Sequence, residues 1–94
     1  MSAPLLLVAA SGLAREVLSV CEATGRAVVG VLDDNPAKAG SSFGTTTVLG
    51  SLERVRDHAD AELLVCAGKG SGRRDLVARL AALGIDDRRY ATVV

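Results

Sequence analysis

Short continuous apolar runs alternate along this chain with longer stretches in which apolar residues recur every third or fourth position. The continuous runs predict strands buried on both faces, whereas the wider spacing predicts amphipathic helices. The predicted strands are LLLVAA (5–10), AVVGVL (27–32), TTVLG (46–50), ELLVCAG (62–68) and YATVV (90–94). The first predicted helix has Leu13, Val17, Leu18 and Cys21 on one face and ends at Gly25. Two further helices are predicted, one from Ser51 as a candidate cap to about 58 and one over about 73–83, which Gly84 ends.

This alternation predicts an α/β fold, a Rossmann-like three-layer α/β/α domain with a parallel sheet in the order 3-2-1-4-5. The 94 residues are enough for one such domain. Ligands of these sheets bind at the carboxyl edge where the strand order reverses, here between the first and fourth strands. The loops expected there are 10–14 and 68–72, while 35–47 is predicted to be a surface loop.

The composition excludes several classes of function. Eleven basic and eleven acidic residues are scattered along the chain, so neither nucleic acid nor a membrane surface is an expected partner. The apolar runs are too short to span a bilayer and the first residues lack the pattern of a signal peptide, so a cytoplasmic location is expected. Cys21 and Cys66 lack metal-ligand spacing and are predicted to be buried thiols, with no metal site.

Small side chains are concentrated at 9–14, where the first strand gives way to the first helix. A helix N-terminus offers unpaired N–H groups, and small residues in front of it let phosphate oxygens approach the backbone. Against the dinucleotide pattern Gly-x-Gly-x-x-Gly, the segment has Ala9, Ser11 and Ala14. Ser11 disfavours the tight pyrophosphate contact of NAD enzymes, although its hydroxyl is able to donate a hydrogen bond. Close packing of strand and helix without a ligand is the alternative.

Asp33 follows the second strand at a distance from the turn that suits a carboxylate accepting hydrogen bonds from a ribose. The alternative is that Asp33 and Asp34 only form a turn before Asn35. Lys69 is a candidate for contact with an anionic ligand or, equally, a solvated lysine. Arg15 either touches a ligand or pairs with neighbouring side chains, or it belongs to a solvated face of the helix.

Four stretches resemble, in order and spacing, the N-terminal domain of bacterial nucleotide-sugar acetyltransferases, the PglD/NeuD-like group of the sialic acid O-acetyltransferase family. They are LLLVAASGLAREVL, VVGVLDDNPAKAG, TVLGSLERV and LLVCAGKGSGRRDLVARLAALG. The family's first turn is of the type Gly-Ala-Gly-Gly-His-Gly-Arg-Glu, which this chain matches at Gly12, Arg15 and Glu16, with Leu13 at the histidine position. The family's Leu-Asp-Asp and Leu-Gly motifs are intact at 32–34 and 49–50.

The resemblance implies that the domain binds the UDP part of an amino-sugar nucleotide and carries no catalytic residue of its own. The phosphates would lie near the first turn, the uridine near the two aspartates, and a further loop would form the opposite wall. The implied binding residues are Ser11, Gly12, Leu13, Arg15, Asp33, Asp34, Ala67, Gly68 and Lys69.

In the family, acetyl-CoA and the catalytic histidine belong to a following left-handed β-helix of hexapeptide repeats, which also forms a homotrimer. This chain has no hexapeptide periodicity. We therefore expect it to be the N-terminal domain of a longer acetyltransferase of bacterial glycan biosynthesis, inactive alone and without a cofactor of its own. Transfer to nitrogen or to oxygen stays open.

Two other classes of function fit the residues. One is a Rossmann module that binds NAD or coenzyme A, which the missing glycine triad disfavours. The other is an interaction domain without a ligand, whose small-residue turns serve packing alone. Binding measurements distinguish the three hypotheses. Selective binding of UDP supports the nucleotide-sugar domain, selective binding of NAD or coenzyme A supports the Rossmann module, and binding of none of them supports the interaction domain.

Overall fold

The computed structural model describes residues 3–67 and 70–91. It contains five strands and two α-helices, joined by short 3₁₀ segments at Pro36–Lys38, Leu52–Asp57 and Asp87–Arg89. In chain order the main elements are β1 (Leu5–Val8), α1 (Gly12–Thr24), β2 (Val28–Leu32), β3 (Ser42–Phe43), β4 (Thr46–Gly50), β5 (Glu62–Val65) and α2 (Gly70–Ala82).

The strands form one sheet in the order β3-β4-β2-β1-β5, parallel except for β3. Leu7 in the central strand β1 pairs with Val31 of β2 on one side and with Leu64 of β5 on the other. From β1 the chain continues to β2, then to the edge strand β3, and returns through β4, which lies between β3 and β2, before it crosses to the far side of β1. The strand order therefore reverses between β1 and β5, as predicted.

The apolar core lies on both faces of the sheet because successive residues of β1 point to opposite sides. Leu5 and Leu7 pack in a cluster with the buried face of α1. Leu6 and Val8 pack in a second cluster with the 3₁₀ helix Leu52–Asp57 and with α2. These two clusters make the predicted three-layer α/β/α arrangement.

The observed strand order differs from the predicted 3-2-1-4-5 at both edges. Four predicted strands hold their places, as β4, β2, β1 and β5, but the antiparallel β3 extends the edge within the segment predicted to be a loop. Phe43 accounts for this strand, because it is 3% exposed and packs in the α1 cluster. The predicted fifth strand, 90–94, contributes one parallel bridge between Tyr90 and Leu63, and residues 92–94 lie outside the described part.

The helix predictions have mixed outcomes. Gly25 ends α1 in a left-handed conformation, with φ 77°, as predicted. The last helix begins at Gly70, three residues before the predicted start at 73. The segment after Ser51 is a 3₁₀ helix, and the Ser51 side chain makes no capping bond, so that predicted cap is wrong.

Candidate functional site

The first turn, residues 9–11, connects β1 to α1 at the carboxyl edge of the sheet. Ala9 has a left-handed backbone, with φ 84°, a conformation that alanine rarely adopts. Its N–H donates to the carbonyl of Leu32 over 2.7 Å, which extends the pairing with β2 by one step. Ala9 occupies the place of the first glycine of the dinucleotide pattern, and the structure shows why that place favours glycine.

Asp33 holds the first turn from the side. One carboxylate oxygen accepts the N–H of Ala10 at 2.8 Å, and the other accepts the N–H of Asn35 at 2.9 Å. The backbone N–H of Asp33 donates to the carbonyl of Gly50 at 2.9 Å. The half-buried side chain therefore joins the turn after β1 to the turn after β2, in addition to any contact with a ligand.

Ser11 caps α1 and connects it to β5. Its hydroxyl oxygen accepts the N–H of Ala14 at 3.1 Å, and its proton is donated to the carbonyl of Cys66 at 2.6 Å. The predicted donor to a ligand is thus engaged within the protein, across the point where the strand order reverses. Backbone groups remain at the helix start, because the N–H groups of Gly12 and Leu13 have no acceptor inside the helix.

Space is available at this helix start. Among the described residues, a Cβ atom placed on Gly12 would meet no heavy atom within 4 Å outside its own helix backbone, and Leu13 is 40% exposed. An anionic group fits here, because the α1 dipole has its positive end at this point and two N–H groups lack an acceptor within the helix.

Three of the cationic side chains near this edge make contacts with residues of other elements. Arg15 lies over the ring of Phe43, with its guanidinium carbon 4.5 Å from the ring centroid, in line with the interpretation that it pairs with a neighbour. Arg79 of α2 forms an ion pair with Asp34, whose hydrogen bond raises the pKa of the guanidinium. Lys38 donates to the carbonyl of Ala10 over 3.4 Å.

A cleft of about 250 Å³ opens beside Asp34, between the turns after β2 and β4 and the end of α2. Its charged rim includes the Asp34–Arg79 ion pair, while Leu52 and Leu83 provide apolar surface. The lining residues are Asp34, Ser51, Leu52, Glu53, Arg79, Ala82 and Leu83. Asp34 follows Asp33 directly in the chain, so the cleft begins at the turn after β2, which Asp33 links to the first turn.

The opposite wall is described only in part. Ala67 lies half-buried just past β5, and the predicted site residues Gly68 and Lys69 lie outside the described residues. The neighbouring Cys66 is fully buried and free, as predicted, and its burial raises the pKa of the thiol to about 11. A thiol that stays protonated at neutral pH is a poor nucleophile, so Cys66 has a packing role.

The sequence predicted that the first turn and Asp33 lie at the same edge of the sheet. It did not predict that Lys38 and Arg79 reach this edge. Both make contacts between residues far apart in the chain, for which no local pattern exists. Across 3–67 and 70–91, no group of three or more His, Cys, Asp or Glu is arranged to hold a metal ion. In the same residues, no helix has the length and apolar character needed to cross a membrane.

The family model described as the PglD N-terminal domain matches residues 4–80. Perosamine N-acetyltransferase from Caulobacter crescentus, in complex with CoA and GDP-perosamine, has a similar fold, with a TM-score of 0.69 and 22% identity over 90% of this chain. The acetyltransferase domain of PglB from Neisseria gonorrhoeae, in complex with acetyl coenzyme A, gives 0.66 and 20% over the same 90%.

These likenesses concern one part of each solved protein. This chain covers 40% of the Caulobacter protein and 42% of the Neisseria domain. No curated protein matches the chain significantly. At these identities the solved structures support the fold, while the matched family model covers most of the chain.

Proposed function

Because the chain belongs to the PglD N-terminal domain family, we propose that it is the nucleotide-sugar-binding domain of an acetyl-CoA-dependent sugar N- or O-acetyltransferase. Its role is positioning, since it holds the nucleotide sugar so that an amine or hydroxyl of the sugar enters a catalytic site in another domain. The observation that carries the proposal is the first turn, braced on two sides while the helix start beside it stays open.

The phosphates bind at the start of α1. The N–H groups of Gly12 and Leu13 and the helix dipole supply donors and positive potential there. Ser11 and Asp33 act mainly by holding the backbone of the turn, since their polar atoms already bond to Cys66, Ala10 and Asn35. This geometry supports a ligand that contacts the backbone rather than the serine hydroxyl.

The nucleoside binds in the cleft beside Asp34. Its apolar surface suits the face of a base, and the Asp34 carboxylate accepts an N–H from the base edge. Both uracil and guanine present such an N–H. The sequence resemblance favours UDP and the Caulobacter protein holds a GDP-sugar, so the choice of base is left to measurement.

Acetyl transfer takes place elsewhere in the complete enzyme. The two solved proteins carry CoA or acetyl coenzyme A, which supports an acetyl-CoA-dependent reaction for the protein to which this domain belongs. We propose that this enzyme is a cytoplasmic homotrimer of bacterial glycan synthesis and that the described domain alone transfers no acetyl group.

An NMR titration of the domain with UDP, GDP, a UDP-linked amino sugar, GDP-perosamine, NAD and coenzyme A tests the proposal. We expect a nucleotide sugar to shift the amides of Gly12, Leu13, Asp33 and Asp34. A preference for NAD or coenzyme A would replace the proposal with the dinucleotide alternative. If no ligand changed the amide chemical shifts, the result would favour an interaction domain without a ligand.

A substitution at the helix start sharpens this test. Gly12→Val places a branched side chain where a phosphate would bind, and its Cβ would meet no described atom within 4 Å outside the helix's own backbone. We therefore expect binding to be lost with little change in the melting temperature. Ala23→Val, at the exposed far end of the same helix, controls for a β-branched residue in α1. Unchanged affinity in Gly12→Val would remove the helix start from the site.

A further inference from the structure

Lys38 lies close to the first turn and is held there through its backbone. It ends the 3₁₀ segment Pro36–Lys38, and its N–H donates to the carbonyl of Asn35 at 3.0 Å. Asn35 in turn donates its N–H to the carboxylate of Asp33, which also accepts the N–H of Ala10. One carboxylate therefore fixes both the first turn and the segment that carries the lysine.

The Lys38 ammonium group is available for an anion. Its bond to the carbonyl of Ala10 is long, at 3.4 Å, and uses one of three donors. Within residues 3–67 and 70–91, no carboxylate lies within 4 Å of this ammonium. Other cations near the edge in the described part of the chain are engaged. Arg15 stacks on Phe43, Arg79 pairs with Asp34, and Arg73 donates to the carbonyl of Val65 at 2.9 Å.

From this placement we infer that Lys38 is a further binding residue, whose ammonium group contacts the pyrophosphate of the nucleotide sugar at the first turn. The inference rests on the proposed function. A pyrophosphate carries more negative charge than the partial charge of a helix N-terminus balances. The flexible lysine side chain supplies a full positive charge and several hydrogen-bond donors. Exchanging its long hydrogen bond to the exposed carbonyl of Ala10 for a bond to a phosphate oxygen costs little free energy.

The test compares wild-type protein with Lys38→Gln and Lys38→Arg, titrated by NMR with UDP and GDP and with their nucleosides, uridine and guanosine. We expect Lys38→Gln to weaken the affinity for the diphosphate about tenfold, the size of one charge-assisted hydrogen bond. The nucleoside affinity should not change, and Lys38→Arg should keep most of the diphosphate affinity. The loss should shrink as salt is raised.

Arg88→Gln is the matched control, because it removes one positive charge from a side chain that is 92% exposed. Arg88 precedes the bridge of Tyr90 to Leu63, near the amino end of β5, away from the carboxyl edge. We expect this variant to bind the diphosphate like the wild type.

The outcomes separate the two proposals. If wild-type protein binds a nucleotide and Lys38→Gln binds the diphosphate equally well, the Lys38 inference is wrong and the proposed function stands. Equal losses for diphosphate and nucleoside would also overturn the inference, since they would mean that Lys38 supports the loop. If wild-type protein binds neither nucleotides nor nucleosides, both proposals fail.

Discussion

Two turns of this molecule each have a serine directly before a helical segment, but their structures differ. Ser11 follows β1 and Ser51 follows β4, and both have the extended backbone of a helix cap. Ser11 accepts an N–H of α1 and donates to Cys66, whereas the Ser51 side chain makes no capping bond. The first turn leads into 13 helical residues, and the second into a six-residue 3₁₀ helix beside the open cleft.

This difference shows that contacts from the rest of the fold, rather than the local sequence, brace one turn and leave the other open. Ser11 reaches a carbonyl 55 positions away in the chain. Asp33 touches both turns, through its carboxylate at Ala10 and through its backbone N–H at Gly50. A side-chain substitution at Asp33 therefore distinguishes the two turns, because it removes the link to the first turn and keeps the backbone link to Gly50.

Asp33→Ala should have the largest effect. It removes two hydrogen bonds from backbone N–H groups to a half-buried carboxylate, so we expect the free energy of unfolding to fall by about 2 kcal/mol. Urea denaturation measures this loss. Hydrogen exchange should accelerate at the amides of Ala10 and Asn35, while the Asp33 amide stays protected by the carbonyl of Gly50.

Asp34→Ala is the matched control for Asp33→Ala. Asp34 is more exposed and pairs with Arg79, and an exposed ion pair contributes little, at most about 1 kcal/mol. Equal destabilisation by the two variants would contradict the view that Asp33, and not Asp34, holds the first turn. A loss of ligand affinity in Asp33→Ala at temperatures where it stays folded would reveal a ligand contact as well.

Substitution of the two serines comes next in size. Ser11→Ala loses a helix cap and the donor to Cys66, so we expect a loss of about 1.5 kcal/mol in the free energy of unfolding. Ser51→Ala removes no capping bond and should change that free energy by less than about 0.5 kcal/mol. Chemical denaturation measures both free energies of unfolding. Equal losses in the two variants would contradict the difference between the two turns.

Much of the fold was predictable because its causes are local. The continuous apolar runs gave four strands in their correct places, and Gly25 marked the end of α1. β3 was missed because its segment has almost no periodicity and its strand depends on the burial of Phe43. The prediction that Ser51 caps a helix was wrong. A cap requires the side-chain oxygen to lie within hydrogen-bond distance of an N–H group in the first turn, and the presence of a serine does not guarantee this.

The candidate site was predictable to the extent that topology determines it. The carboxyl ends of neighbouring parallel strands meet at one edge, so the first turn and Asp33 were expected together. Their mutual hydrogen bonds were not, since the residue pattern suggested a contact to ligand at both positions. Lys38 and Arg79 were missed because long side chains reach the edge from 28 and 45 positions away.

The smallest effect concerns Ala9, which stands at the first glycine position of the dinucleotide pattern and has a left-handed backbone. Its left-handed backbone costs an alanine about 1–2 kcal/mol, while glycine would instead lose more entropy on folding. We expect Ala9→Gly to stabilise the fold by about 0.5 kcal/mol, the difference of these effects. Ala10→Gly, at a residue without positive φ, should shift the free energy of unfolding by a similar amount in the opposite direction. The same sign for both variants in urea denaturation would mean that Ala9 is not strained, and that the missing glycine carries no cost for this turn.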